Sequence, residues 1–308
     1  MWVDLFHREF ISEESGGKKL LGDHETVPTP RSYADTNFEK KLPLPNNLLF
    51  GGGVGEPILG DRKQFPLLIL HGFLGSSSNW VTTGKELANF FDVYALDLRN
   101  HGKSPHAEPM NYEAMAEDVF HWLDTRDLGK VVLLGHSLGG KLAMKLACRY
   151  PELVRGLIIE DIAPKPYIPS FDGALAALLE VDLKSMTSRK QIDDFLINRL
   201  NDSKLCHFLM TNLSRDEQGF FYWQANFSIL KNSQGELVKN PLAESDVYKG
   251  PCLVLKGEKS RFLRTTDRDL FHKHFSNCVI QEIAGAGHNI HSDNRRSFVD
   301  TVRGFNVE

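Results

Sequence analysis

The chain has 308 residues, 41% hydrophobic and 25% charged, a balance that excludes collagen-like, low-complexity and wholly disordered proteins. Its 36 basic residues stand against 40 acidic ones, a formal net charge of -4, so an overall basic footprint for nucleic acid is missing. No apolar run reaches the ~20 residues that a membrane helix needs.

Residues 1–60 differ in composition from the rest. Ser-Gly-Gly, Pro28, Pro30, Pro43, Pro45 and Gly51-Gly52-Gly53 forbid long helices there. This part is predicted to be a loosely ordered arm, with a first hairpin of the sheet near Leu48–Leu59. Gly51–Gly55 lacks the strand–GxxxxGK[ST]–helix context of a phosphate cradle. Asp4, His7, Arg8 and Glu9 interrupt the apolar core that a secretory signal requires. Glu13, Glu14, Asp23 and Glu25 make the start too acidic for a typical transit peptide.

From Pro66 the pattern alternates. Strands are predicted at Leu67–Leu70, Val93–Leu98, Val131–Leu134 and Leu157–Ile162, with helices at Asn79–Phe90, Tyr112–Asp127 and Leu138–Tyr150. Near-continuous apolar strands separated by helices imply a mostly parallel sheet covered on both faces. The rhythm breaks at Pro164, Pro166 and Pro169, and a mostly helical stretch follows. Alternation returns with the strand Cys252–Lys256, a helix near Thr265–Phe275, the strand Cys278–Ile283 and a helix at Asn294–Phe305. The predicted organisation is an α/β core over 61–164 and 249–308 carrying an inserted helical lid at 165–248. Cys148, Cys206, Cys252 and Cys278 are widely spaced and read as reduced thiols rather than a disulfide framework or metal site.

Three stretches carry chemistry. Val131–Leu134 runs into Gly135-His136-Ser137-Leu138-Gly139 and then a helix, the context of a nucleophile elbow. Such a turn lifts a serine hydroxyl above the sheet, and the helix start beside it supplies free N–H groups and partial positive charge. Ser137 is therefore the candidate nucleophile. A serine hydroxyl needs a base, and His288, in Gly285-Ala286-Gly287-His288, follows the last strand. His291 is its rival and reads as a surface histidine or one that supports the site from behind. The third member must be a carboxylate that orients the histidine. Asp161, in Glu160-Asp161-Ile162-Ala163-Pro164, ends the strand beside the nucleophile strand, and period-two alternation is expected to separate it from Glu160. Asp161 is the first choice, Glu258 the second and Asp267 the third. Ser260 stands where an aspartate would be expected if the acid followed the strand Cys252–Lys256. An oxyanion needs two preorganised donors: the N–H groups of Leu138 and of Phe73, in His71-Gly72-Phe73-Leu74-Gly75. Asp97 and Arg99 read as structural partners of neighbouring loops.

Together, His71-Gly72-Phe73, Asp97–Ser104, Gly135–Gly139 and Gly287-His288 resemble the α/β-hydrolase superfamily over roughly Pro66–Phe305. Within it, Asp97-Leu98-Arg99-Asn100-His101-Gly102-Lys103-Ser104, Gly139-Gly140-Lys141 and Asp161-Ile162-Ala163-Pro164 resemble a narrower branch. That branch holds bacterial ester and thioester hydrolases of the YbfF type, the mitochondrial abhydrolase-domain-containing proteins eleven, and fungal enzymes that make ethyl esters. The resemblance implies a serine esterase or thioesterase acting on a small-molecule substrate of short to medium acyl chain, with Asp161 as the acid. It implies no metal or organic cofactor, and Trp223 and Asn226 as lid positions near the substrate. By resemblance the compartment is mitochondrial, with the cytoplasm as the alternative. Acyl transfer to an alcohol is the alternative activity; a non-catalytic binding protein of the same fold is a further one, disfavoured by the complete Ser137, Asp161, His288 set.

Overall fold

The computed structural model describes residues 1–10 and 65–307. Among these, a seven-stranded sheet runs in the order β1 (His7–Phe10), β3 (Phe91–Leu96), β2 (Phe65–Leu70), β4 (Val131–His136), β5 (Val154–Glu160), β8 (Tyr248–Gly257) and β9 (Phe275–Ile283). All neighbours are parallel except β1, which pairs antiparallel with β3. The expected hairpin near Leu48–Leu59 and the glycine run Gly51–Gly55 lie outside the described residues. The edge strand His7–Phe10 departs from the loosely ordered arm expected there. Four residues beside charged neighbours carry too little periodicity to read, and only pairing with β3 makes them a strand.

The strands alternate their side chains between two apolar layers, as a doubly covered parallel sheet requires. Leu68, Leu70, Leu133, Leu157, Ile159 and Val254 enter one layer. Leu67, Ile69, Val132, Leu134, Ile158 and Leu253 enter the other. Each fully buried side chain of this size contributes about 1.5–3 kcal/mol, so the central strands dominate the stability of the platform.

The helices of the core are α1 (Val81–Leu87), α2 (Tyr112–Asp124), α3 (Leu138–Arg149), α8 (Arg268–His274), α9 (Ile290–Asp293) and α10 (Arg295–Arg303). The helix expected over Asn79–Phe90 is shorter, because a 3₁₀ turn over Ser77–Trp80 precedes it. Between β5 and β8 lie α4 (Asp172–Glu180), α5 (Arg189–Leu200), α6 (Ser203–Leu209) and α7 (Phe227–Leu237). Two short strands, β6 (Leu213–Arg215) and β7 (Phe221–Trp223), pair among them. No helix of the described residues is long and apolar enough to cross a membrane. The four cysteines are free.

The loop after β3 is a scaffold. Asp97 accepts the N–H groups of Ser77 (2.6 Å) and Lys103 (2.8 Å). Arg99, fully buried, pairs with Asp118 of α2 through Nε (2.6 Å) and a second nitrogen (2.7 Å), and donates to the Pro109 carbonyl. Both residues act structurally, as the sequence suggested. Breaking a buried pair strands one charge, so Asp118→Ala is expected to destabilise the fold by about 3–5 kcal/mol, read by chemical denaturation.

Candidate active site

The corner between β4 and α3 sets the first residue. Ser137 has φ 52° and ψ -114°, a conformation costly for a residue with a Cβ. Two close approaches hold it there. A Cβ on Gly135 would stand 2.2 Å from the Gly139 carbonyl oxygen, and one on Gly139 would stand 2.1 Å from that of Leu70. The Ser137 N–H donates to the Glu160 carbonyl of β5 (3.1 Å). Leu138 opens α3, so its N–H is among those a helix leaves without an internal acceptor.

Asp161 and His288 meet directly. His288 Nδ1 lies 2.8 Å from Asp161 Oδ2, and the carboxylate is fully buried. The other Asp161 contacts also come from protein: the Gly257 N–H donates to Oδ1 (3.1 Å), and Ser260 Oγ donates to Oδ2. Ser260 therefore helps to hold the Asp161 carboxylate in place. β5 stops at Glu160, and Asp161 has φ 52°. A left-handed kink, not strand alternation, turns it away from Glu160. Glu258 accepts the Gly285 N–H (2.6 Å), and Asp267 pairs with Lys165 (2.5 Å); neither is bonded to His288.

His288 stacks on Phe262, with ring centroids 3.8 Å apart and planes at 19°. Its carbonyl accepts from Nε2 of His136, the residue before Ser137 (3.0 Å). Phe262, Ser137, Leu138 and Phe73 line one cavity. Its other walls include Ile162, Tyr167, Phe171, Leu237 and Val238. Apolar walls around a few polar groups are the usual make-up of a small-molecule site.

Neutral histidines brace the Phe73 loop. Burial pushes His71 down to about 4 and His101 down to about 3, so both are uncharged near neutral pH. His71 Nε2 accepts the Leu98 N–H (3.0 Å), and His101 Nε2 accepts that of Leu74 (3.3 Å).

Trp223 and Asn226 do not line this cavity. The Asn226 side chain caps α7 by accepting the Ile229 N–H (3.1 Å), and Trp223 is paired into the β6–β7 ribbon and packs on Phe227. The cavity wall from this segment is made instead by Tyr167, Phe171, Gln234, Leu237 and Val238. Sequence reasoning also gave no role to Lys141. It lies four residues after Ser137, on the same helix face, and a charge in that apolar stretch was the available signal. Lys141 is buried, lines the cavity, and donates to the Val238 (3.0 Å) and Lys239 (2.7 Å) carbonyls where α7 ends. His291, in α9, is buried, so it is not a surface histidine.

A mostly parallel sheet with a strained serine corner beside a histidine–carboxylate pair is the frame of the α/β-hydrolases, and this chain belongs to that superfamily. A family model described as alpha/beta hydrolase fold matches residues 66–181. The chain is 34% identical over 248 residues to the sn-1-specific diacylglycerol lipase ABHD11 of Xenopus laevis, covering 78% of this chain and 79% of that protein. It is 29% identical over 244 residues to esterase YbfF of Escherichia coli, covering 79% and 93%. The solved structure of a marine microorganism esterase superposes with a TM-score of 0.76 at 34% identity, covering 80% of this chain and 96% of that one. The protein is an enzyme of the α/β-hydrolase class, similar to named esterases and lipases.

Proposed function

We propose that the protein is a serine esterase that cleaves esters or thioesters of short to medium acyl chains through an acyl-enzyme on Ser137. The observation that carries this reading is the 2.8 Å contact between His288 Nδ1 and the buried Asp161 carboxylate. It orients the imidazole with Nδ1–H toward the acid and leaves Nε2 as the base for the Ser137 hydroxyl. Ser137 attacks the carbonyl carbon as His288 takes its proton. The Leu138 and Phe73 N–H groups hold the oxyanion. His288 then protonates the departing alcohol or thiol, and finally takes a proton from the water that releases the acid. The apolar walls suit an acyl chain, in keeping with a relative named for a glycerol-ester lipase.

The test is labelling by a fluorophosphonate probe, expected on the wild-type protein and absent from Ser137→Ala. No labelling of folded wild-type protein would overturn the reading. Analysis of products with ethanol present separates hydrolysis from acyl transfer: free acid supports the proposal, and ethyl ester as the main product replaces it.

Lys141 ties the cavity wall to the core, since cations at helix ends favour the last carbonyls. Burial pushes its ammonium down to about 7. The charge is thus present below that pH and lost above it. The described groups around it are the Tyr167 ring, 4.8 Å from Nζ, and the α7 carbonyls; no carboxylate among the described residues pairs with it. KM for a medium-chain ester is therefore expected to rise as pH passes through about 7, and Lys141→Arg, charged throughout, to flatten that rise. Lys141→Met should raise KM about tenfold, the worth of a charged hydrogen bond, with a smaller change in kcat. Steady-state kinetics across pH reads both.

A further inference from the structure

Glu160 is fully buried, directly before Asp161, and the proposed mechanism does not use it. Its Oε1 accepts the backbone N–H of His291 (2.9 Å), and its carboxylate faces His291 Nδ1 at 2.9 and 3.0 Å. Two adjacent acids therefore grip two histidines: Asp161 takes His288, and Glu160 takes His291, three residues on at the start of α9. The left-handed kink at Asp161 sends the two carboxylates different ways.

His136 joins the two pairs. Its ring centroid is 4.7 Å from that of His288 and 5.2 Å from that of His291. Burial pushes it down to about 3, so it is neutral and its Nε2–H donates to the His288 carbonyl (3.0 Å). Burial works against the Glu160 charge, yet the His291 and His136 contacts outweigh it and hold the carboxyl below its usual range. His291 is locked from its other side: its ring stacks on Trp80 at 4.1 Å, and its carbonyl accepts from Thr83 Oγ1 (2.9 Å). Donor atoms of His136, Glu160 and His291 lie within 4.8 Å of one another, and each side chain already has a hydrogen-bond partner in the protein.

A buried carboxylate costs several kcal/mol unless it is matched, and an apolar residue at this strand end would be cheaper. The charge has a use if the loop it holds must be set to a fraction of an ångström, as general-base catalysis demands. We propose that the Glu160–His291 pair is a positioning device for the base: it fixes the loop that carries His288, while His136 transmits that placement to the Ser137 elbow. This inference rests on the serine-esterase reading of the site.

Fluorophosphonate labelling of the wild-type protein and of Ser137→Ala first establishes that reading independently. Glu160→Gln retains the Oε1 acceptor and removes the charge. His291→Phe keeps a ring on Trp80 and removes the Nδ1 donor. Each is expected to lower kcat about 10–100-fold, with KM changed less than about twofold. His291→Asn, whose amide N–H replaces Nδ1–H, should recover most of the lost kcat. If His291→Phe does not fold, the kcat and KM of Glu160→Gln decide. With Ser137 labelling intact in the wild type, the proposal is overturned by kcat within about twofold of wild type in folded Glu160→Gln, or by equal losses in kcat and 1/KM. It is also overturned if His291→Asn recovers nothing that a folded His291→Phe has lost.

Discussion

Ser137→Ala is expected to lower turnover of short p-nitrophenyl esters by at least about 10⁴-fold while the protein stays folded, because removing the nucleophile of a serine–histidine unit leaves only binding and the oxyanion donors to act. The fold should tolerate the change. The strain at φ 52° belongs to any residue with a Cβ, and the contacts holding the corner are backbone ones: the Ser137 N–H to Glu160 and the tight approach of Gly139 to Leu70. Alanine keeps both. Circular dichroism and the thermal midpoint should match wild type. Hydrolysis by a folded Ser137→Ala at a tenth of the wild-type rate or more (about 1.4 kcal/mol) would remove Ser137 from the chemistry.

The second large effect is expected at the acid. Asp161→Asn should reduce kcat about 10³–10⁴-fold, whereas Glu258→Gln should stay within about threefold. An asparagine amide can present N–H to His288 Nδ1, which then becomes the acceptor, and the proton moves to Nε2, where the base is needed free. Gly257 N–H and Ser260 Oγ would still hold the side chain in place, so geometry alone should not account for the loss. Glu258 accepts the Gly285 N–H, on an exposed contact. Comparing kcat for the two variants on one ester checks the ranking, and the reverse order would move the acid to Glu258.

The features legible in the sequence are those that local chemistry dictates. The Ser137 corner could be read because Gly135 and Gly139 are demanded by contacts within the same strand–turn–helix unit and its neighbouring strand. The apolar strands could be read because burial on both faces leaves no room for alternation. The edge strand His7–Phe10 could not, since it is paired to β3, remote in sequence. Trp223 and Asn226 were singled out by resemblance alone, and the ribbon and cap contacts they make within that segment had no signal in the sequence. The cavity wall falls to Tyr167 and to the end of α7, where Lys141 reaches across from the core.

By itself, the order of residues determined the sheet, the elbow and the set of titratable groups from which a site could be built. Composition and periodicity act within a few turns of the chain. Which carboxylate meets which histidine was decided only in three dimensions. Asp161 and His288 lie 127 positions apart, and a one-residue kink sends Glu160 to His291 instead. The physical reason is that buried charges must find partners wherever packing brings them, and packing is a property of the whole fold.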